Sequence, residues 1–363
     1  MKPSPSRTKY NRYYSMFPRS VIVISLIAAG VLTAPAQQSV AWKDAMKQPR
    51  DWYGSAEAVR VAGQLLLYQH DNGGWEKNLD MAAPLSDQQR GDLLARKKEN
   101  LGHTTIDNDA TYTQMRYLAR VYTATRDPRY RTAFQTGLNY LLEAQYANGG
   151  WPQFYPLRDG YWSHITYNDD AMIGVMETLR SIVRQEPDFA FVADPDRVRA
   201  TQAIEKGIQC ILKTQVRVDG KLTAWCAQHD EKTLLPAKAR AYEHPSLSGS
   251  ESVGVVQFLM AIRDPSPEVT SAIKGAIAWF DAVRIKGIRL ERKPVPGTPR
   301  GYDFVVVPDA AAPPLWARFY EIGTNRPIFS GRDSVVKYQL SEIEYERRTG
   351  YRWYVDRPAQ LFQ

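Results

Sequence analysis

Five acidic residues recur at matching places along the chain. Asp107 and Asp109 lie in Ile106-Asp-Asn-Asp-Ala110, Asp169 and Asp170 in Tyr167-Asn-Asp-Asp-Ala171, and Glu251 in Gly249-Ser-Glu-Ser252. Each group stands just before an apolar-periodic run: Tyr112 to Ala124, Met172 to Val183 and Val253 to Ile262. An acid at such a place can cap its own helix, where unpaired N–H groups and the macrodipole favour negative charge. If the three helix starts converge, the same carboxylates can instead hold a hard cation, and Ca²⁺ suits oxygen ligands in irregular geometry. For any single residue the two uses stay equally open. Five acids at corresponding places favour the second. Zinc is disfavoured, because His70, His103, His164, His229 and His244 show no paired ligand spacing. Each is expected to be a surface or hydrogen-bonded histidine.

Arginines form the complementary set. Arg240 lies in Lys238-Ala-Arg-Ala-Tyr-Glu-His-Pro-Ser246, Arg318 in Arg318-Phe-Tyr-Glu321, and Arg326 and Arg332 in the stretch from Thr324 to Asp333. Guanidinium groups bind carboxylates bidentately, so a cleft holding Ca²⁺ and arginines would suit a polyanion bearing carboxylates. One or two of these arginines are expected to make only structural ion pairs, with Glu321, Asp333 or Glu243. Trp75, Trp151, Tyr155, Tyr161, Trp162 and Tyr167 fall on predicted loops. They could stack on sugar faces or fill the core, and the core is the first expectation for Trp75 and Trp151.

The elements that must position these groups repeat. A helix end, a glycine stop and a tryptophan loop occur at Gln69 with Gly73, Gly74 and Trp75, at Gln145 with Gly149, Gly150 and Trp151, and at Gln215 with Gly220 and Trp225. The glutamines are 76 and 70 residues apart. Between them, each acid-led helix is followed by a second, over Tyr130–Gln145, Val198–Gln215 and Val269–Val283. Helical hairpins repeating in this way stack side by side and share a core. The expectation is an all-α, toroid-like (α/α) domain from about residue 40 to the end. A minor β-hairpin pairs Arg289–Arg292 with Phe304–Val307.

Composition limits the partners. The 363 residues carry a formal charge of +8. Residues 1–36 hold Lys2, Arg7, Lys9, Arg12 and Arg19 and no acid, so the remainder has 42 basic against 39 acidic residues, which argues for no nucleic acid. The same stretch has an apolar run of 12 residues, Val21–Leu32, then Ala34-Pro-Ala36. That is the pattern of an export signal cleaved after Ala36, secreted or periplasmic, rather than of a membrane anchor. The mature chain, 37–363, is expected to be one catalytic domain, monomeric and not membrane-bound. Cys210 and Cys226 could pair in an oxidising compartment, although a buried thiol fits Cys210 equally. No Gly-x-Ser-x-Gly, Walker or Rossmann pattern occurs.

Long strings carry a family resemblance: Thr105-Ile-Asp-Asn-Asp-Ala-Thr111, Gly149-Gly-Trp-Pro-Gln-Phe-Tyr-Pro156, Ile165 to Met172, Ala239 to Ser252 and Arg318 to Phe329. They resemble the pectate lyases of polysaccharide lyase family ten, from roughly Lys43 to Trp353. The resemblance implies an incomplete (α/α) toroid of three hairpins and Ca²⁺-assisted β-elimination on polygalacturonate. It also implies roles for particular residues. Asp169 is then a calcium ligand, Asp107 belongs to the calcium and substrate site, and their neighbours Asp170 and Asp109 are the alternative ligands. Arg240 is the base, and Arg318 and Arg332 hold uronate carboxylates. Free guanidinium has a pKa above ~12, so Arg240 can act as a base only where its charge is disfavoured. Ca²⁺, Lys238 beside the substrate and neighbouring arginines are expected to do this. Two other functions compete on the residues alone. One is an inverting glycoside hydrolase, which needs two carboxylates and no essential metal. The other is a non-catalytic polyuronate-binding protein.

Overall fold

The helical hairpins form because capped, amphipathic segments alternate with sharp stops. In the computed structural model, which describes residues 39–99 and 101–363, helix α1 spans Ala56–Tyr68 and α2 Asp87–Ala95. They are followed by α3 Tyr112–Thr125, α4 Pro128–Glu143, α5 Ala171–Val183, α6 Asp194–Thr214, α7 Glu251–Met260 and α8 Pro267–Ala282. The six helices expected from α3 to α8 are therefore present, with ends shifted by a few residues. The turn into α4 follows a simple chemistry. Arg126 is left-handed, the Asp127 side chain accepts from Arg129 N, and Pro128 supplies the preset φ of a first helical residue. Ser266 and Pro267 repeat the side-chain cap and the proline at α8. The export signal expected over 1–36 lies outside the described residues.

Helix α3 pairs with α4, α5 with α6, and α7 with α8. The first members α3, α5 and α7 touch in succession, and so do α4, α6 and α8, which gives two rows. The fold is mainly helical with little sheet and no barrel among the described residues. The longest strands are the expected ribbon, Ile288–Pro294 against Tyr302–Pro308, with Arg289 opposite Val307 and Arg292 opposite Phe304.

The repeated glutamine and tryptophan have structural work. Each tryptophan is fully buried and donates its indole N–H to a carbonyl of the helix just ended: Trp75 to Leu65 at 2.9 Å, Trp151 to Leu141 at 2.7 Å, Trp225 to Ile211 at 2.7 Å. Each glutamine amide donates twice. One bond closes its own turn, at Gly73, Gly149 or Thr223. The other reaches the outer helix of the next hairpin, at Ala133, Ala203 or Ala272. The same two side chains thus tie one hairpin to the next, and the sequence period records that joint. Cys210 and Cys226 are free and buried.

The joint makes a prediction about Gly149. Its φ is +94°, and a Cβ there would lie 2.0 Å from the Lys206 carbonyl oxygen. Gly149→Ala is expected to destabilise the fold by about 3 kcal/mol or more. Gly63, inside α1 with nothing within 4 Å of its would-be Cβ, serves as the contrast. Gly63→Ala is expected to be neutral or to gain up to about 1 kcal/mol. Urea unfolding of both variants checks the pair, and equal stability would refute the account of the joint.

Short pairings at one end of the hairpins then bring distant loops together. Thr105 bridges Phe154, Ile165 pairs with His229, and Ser248 pairs with Phe319. These contacts place Asp107 beside the 154–164 loop and Glu251 beside Arg318.

Candidate active site

The acids do not cap their helices. No side-chain cap bond is made by Thr111, Asp170 or Ser250, the residues that precede α3, α5 and α7. Asp107–Asp109 and Asn168–Asp170 are single tight turns instead, packed on one another. Asn108, Asp109, Asp169 and Asp170 all have positive φ, between +48° and +63°. Left-handed backbone at four non-glycine residues costs on the order of 1 kcal/mol each. Such strain persists where the surroundings impose it, and functional sites are where it gathers.

The two turns sort their acids. Asp170 is turned inward: it accepts from Arg357 at 2.7 Å, and its other oxygen lies against Gly254 of α7, where a Cβ would come within 2.3 Å. Burial raises its pKa despite Arg357. Asp109 is exposed and accepts from the Tyr112 hydroxyl at 2.7 Å. Asp169 is exposed, with one oxygen 2.6 Å from the Asn168 amide nitrogen and the other 3.2 Å from the Arg318 guanidinium. Asp107 is buried and paired with Lys77, and its Oδ1 has no partner among the described residues. Glu251 is buried, accepts from Ser248 and is paired with Arg318; burial lifts its pKa above the ordinary carboxyl value.

The expected crowding is therefore looser than the repeat implies. No three of these acids bring ligand atoms within 4.8 Å of one another. Three cations stand among them, Lys77 on Asp107, Arg357 on Asp170, and Arg318 on Asp169 and Glu251. The donor set still fits a hard divalent ion. It is all oxygen, Asp169 faces solvent, and Asp107 Oδ1 is a buried acceptor with nothing bonded to it.

The arginine side adjoins this set. Arg240 grips Glu243 in a fork, Nε to Oε2 at 2.8 Å and Nη2 to Oε1 at 2.5 Å. The Tyr351 hydroxyl donates to the same Glu243 at 2.7 Å, and the Arg318 guanidinium lies 4.5 Å from the Tyr351 ring centre. Tyr351 thus joins Arg240 to the acid cluster. Burial disfavours the Arg240 charge, but Glu243 outweighs it and holds the pKa above its usual value. This reverses the charge environment expected for Arg240. The Lys238 ammonium donates to the Ser334 hydroxyl and keeps its charge. Arg332 is exposed and paired with Glu346 at 3.1 Å, rather than with Asp333. Of the three acids considered as structural partners, Glu243 has its arginine, whereas Asp333 pairs with Lys337.

Sequence reading missed Lys77, Asn168, Tyr351 and Arg357. Asn168 stands beside Asp169 and could have been singled out; the other three carry no local signal. It also missed a second group, His164, Asp230 and Glu231, whose ligand atoms lie within 4.8 Å of one another. His164 Nδ1 is 3.2 Å from Glu231, while Asp230 Oδ1 is occupied by the amides of Lys232 and Thr233. Of the loop aromatics, Trp75, Trp151 and Tyr167 are buried, and Tyr155, Tyr161 and Trp162 are half-buried.

His229 supplies a pH dependence. It is fully buried, with Nε2 accepting from Cys226 N at 3.0 Å and Nδ1 2.9 Å from the Leu234 carbonyl, which fixes the neutral ring. Burial lowers its pKa from 6.5 to about 4. The unfolded chain then binds the proton first on acidification. Stability present in full above about pH 6.5 is lost as pH falls toward about 4, by up to about 3 kcal/mol. Urea midpoints at pH 7.5 and 4.5 should diverge less in His229→Gln than in the wild type. An unchanged difference would contradict this.

Comparison with known proteins follows the same lines. Residues 69–362 match the family described as pectic acid lyase. No curated protein matches the chain. Among solved structures, a family 10 polysaccharide lyase from Cellvibrio cellulosa is 36% identical, with a TM-score of 0.72, and the match covers 86% of this chain and 94% of that one. A mutant of a family 10 polysaccharide lyase from Cellvibrio cellulosa, in complex with trigalacturonic acid, is 35% identical with a TM-score of 0.73, covering 86% and 93%.

Proposed function

The chain belongs to the pectic acid lyase family, and from that premise we propose that it is a calcium-dependent pectate lyase. In this reading it cleaves α-1,4-linked polygalacturonate by β-elimination and leaves unsaturated oligogalacturonates. The observation that carries it is the meeting of Asp169 and Glu251, from two hairpins, on Arg318, with the Asp107 turn of the preceding hairpin packed against the Asp169 turn and Arg240 tied to the same network through Tyr351. The trigalacturonic acid held by the Cellvibrio cellulosa mutant supports the substrate class. The two rows of helices are read as an incomplete (α/α) toroid, and residues 1–36 as an export signal that sends a monomeric enzyme to its polymer.

Asp107 and Asp169 would hold Ca²⁺, with Asp109 at the rim and Asp170 bracing the turn from behind. The chemistry a bound Ca²⁺ supplies is electrostatic stabilisation of the uronate carboxylate as charge builds on it. Arg318 and Arg332 bind carboxylates along the chain, and Lys238 would add a further contact to the substrate. Arg240 removes the C5 proton, which is α to the carboxylate. The electron pair forms the C4–C5 double bond, the C4–O bond breaks, and the leaving oxygen takes a proton. Glu243 keeps Arg240 charged at rest, so entry of an anionic sugar has to separate the pair before the base can work.

Product mass tests the reading. Each new end-pair should together weigh one water less than the pair made by hydrolysis. Products that have gained water would mean that the proposed chemistry is wrong.

A further inference from the structure

Resting on that reading, we propose that Arg158 is a carboxylate-binding residue of an outer subsite, held ready by an aromatic clamp. Its guanidinium carbon lies 4.7 Å from the Phe154 ring centre and 4.5 Å from that of Trp162. Tyr161 extends the clamp, with its ring centre 4.6 Å from that of Trp162. Planar guanidinium stacks well on aromatic faces and keeps its N–H fork free at the edge. Among the described residues Arg158 makes no ion pair and no side-chain hydrogen bond. Arg240, Arg318, Arg332 and Arg357 are all neutralised by carboxylates. A cation that is positioned but not neutralised suits an incoming anion.

The loop that carries Arg158 borders the site. Phe154 is bridged to Thr105, two residues before Asp107. The Lys77 ammonium that pairs with Asp107 lies 5.4 Å from the same Phe154 ring centre. Burial raises the Tyr161 pKa, and the charges of Arg240, Glu243 and Asp107 act on it as well. A polyuronate crossing between Asp107 and Arg240 therefore passes this loop. It presents a carboxylate on every unit, and Arg158 would take one beyond the scissile bond. Tyr161 and Trp162, on the same loop, are half-buried. Arg158 then sets chain-length preference, not the bond-breaking step.

The test is a chain-length series of oligogalacturonates and the polymer, with wild type, Arg158→Gln and Arg158→Lys. Arg158→Gln is expected to keep kcat within about twofold and to raise KM about tenfold on the polymer, the effect of one charge-assisted contact. The loss should begin at one particular oligomer length and be absent below it. Arg158→Lys should recover part of it. A loop-folding role predicts the same loss at every length, and that result, or no loss on the polymer, overturns the proposal. Retardation of the same proteins in gels containing polygalacturonate separates the two readings. Weaker retention of Arg158→Gln supports the subsite even where no unsaturated product forms, and equal retention rejects it.

Discussion

Arg240→Lys should lose about a thousandfold in turnover on polygalacturonate while still binding it. General-base removal of a carbon-bound proton contributes on the order of 10²–10⁴ in rate. A lysine keeps the charge but not the planar fork that Glu243 orients through two bonds. KM should move little, because Arg318 and Arg332 are untouched. The pH profile carries a second part of the result. At rest Glu243 holds Arg240 protonated, so wild-type turnover should climb with pH into the alkaline range. Activity that peaks in acid and fades by neutral pH would remove Arg240 as the base. So would near-normal turnover in Arg240→Lys.

The second large effect falls on Arg318. This side chain is buried and meets Glu251, Asp169 and Asn168 together. Arg318→Gln strands the Glu251 carboxylate, whose pKa burial already raises. Breaking a buried pair from one side costs about 3–5 kcal/mol. Arg318→Gln should therefore be both destabilised and inactive, which alone says little about substrate. Arg318→Gln with Glu251→Gln removes the stranded charge and should regain most of the stability. If Arg318 binds a uronate carboxylate, the double variant stays inactive despite its stability. Recovery of turnover together with stability would reduce Arg318 to a structural role.

Much of this architecture was legible because it rests on local periodicity. Helices α3 to α8 follow from apolar spacing, and Pro128 and Pro267 mark two starts. The tryptophan and glutamine repeat was visible, but its meaning was not. The contacts of Gln69 with Ala133, Gln145 with Ala203 and Gln215 with Ala272 show that it joins neighbouring hairpins. The acids were found by their matching places. Their sorting was hidden, because it depends on long-range partners: Arg357 for Asp170, Lys77 for Asp107, Arg318 for Asp169. Glu243 was within view three residues from Arg240, yet sequence gives no orientation. Its fork turned an expected loss of charge into a gain. His164 and Glu231 are 67 residues apart, and a two-residue strand pairing brings them together.

Ultraviolet absorbance during incubation of the wild-type protein with polygalacturonate, with added Ca²⁺ and with excess chelator, tests the central claim most directly. A steady rise from new carbon–carbon double bonds with Ca²⁺, stopped by chelator and restored by returning the ion, is the predicted result. Shortening of the polymer with no rise in absorbance, or a rise indifferent to chelator, would contradict it.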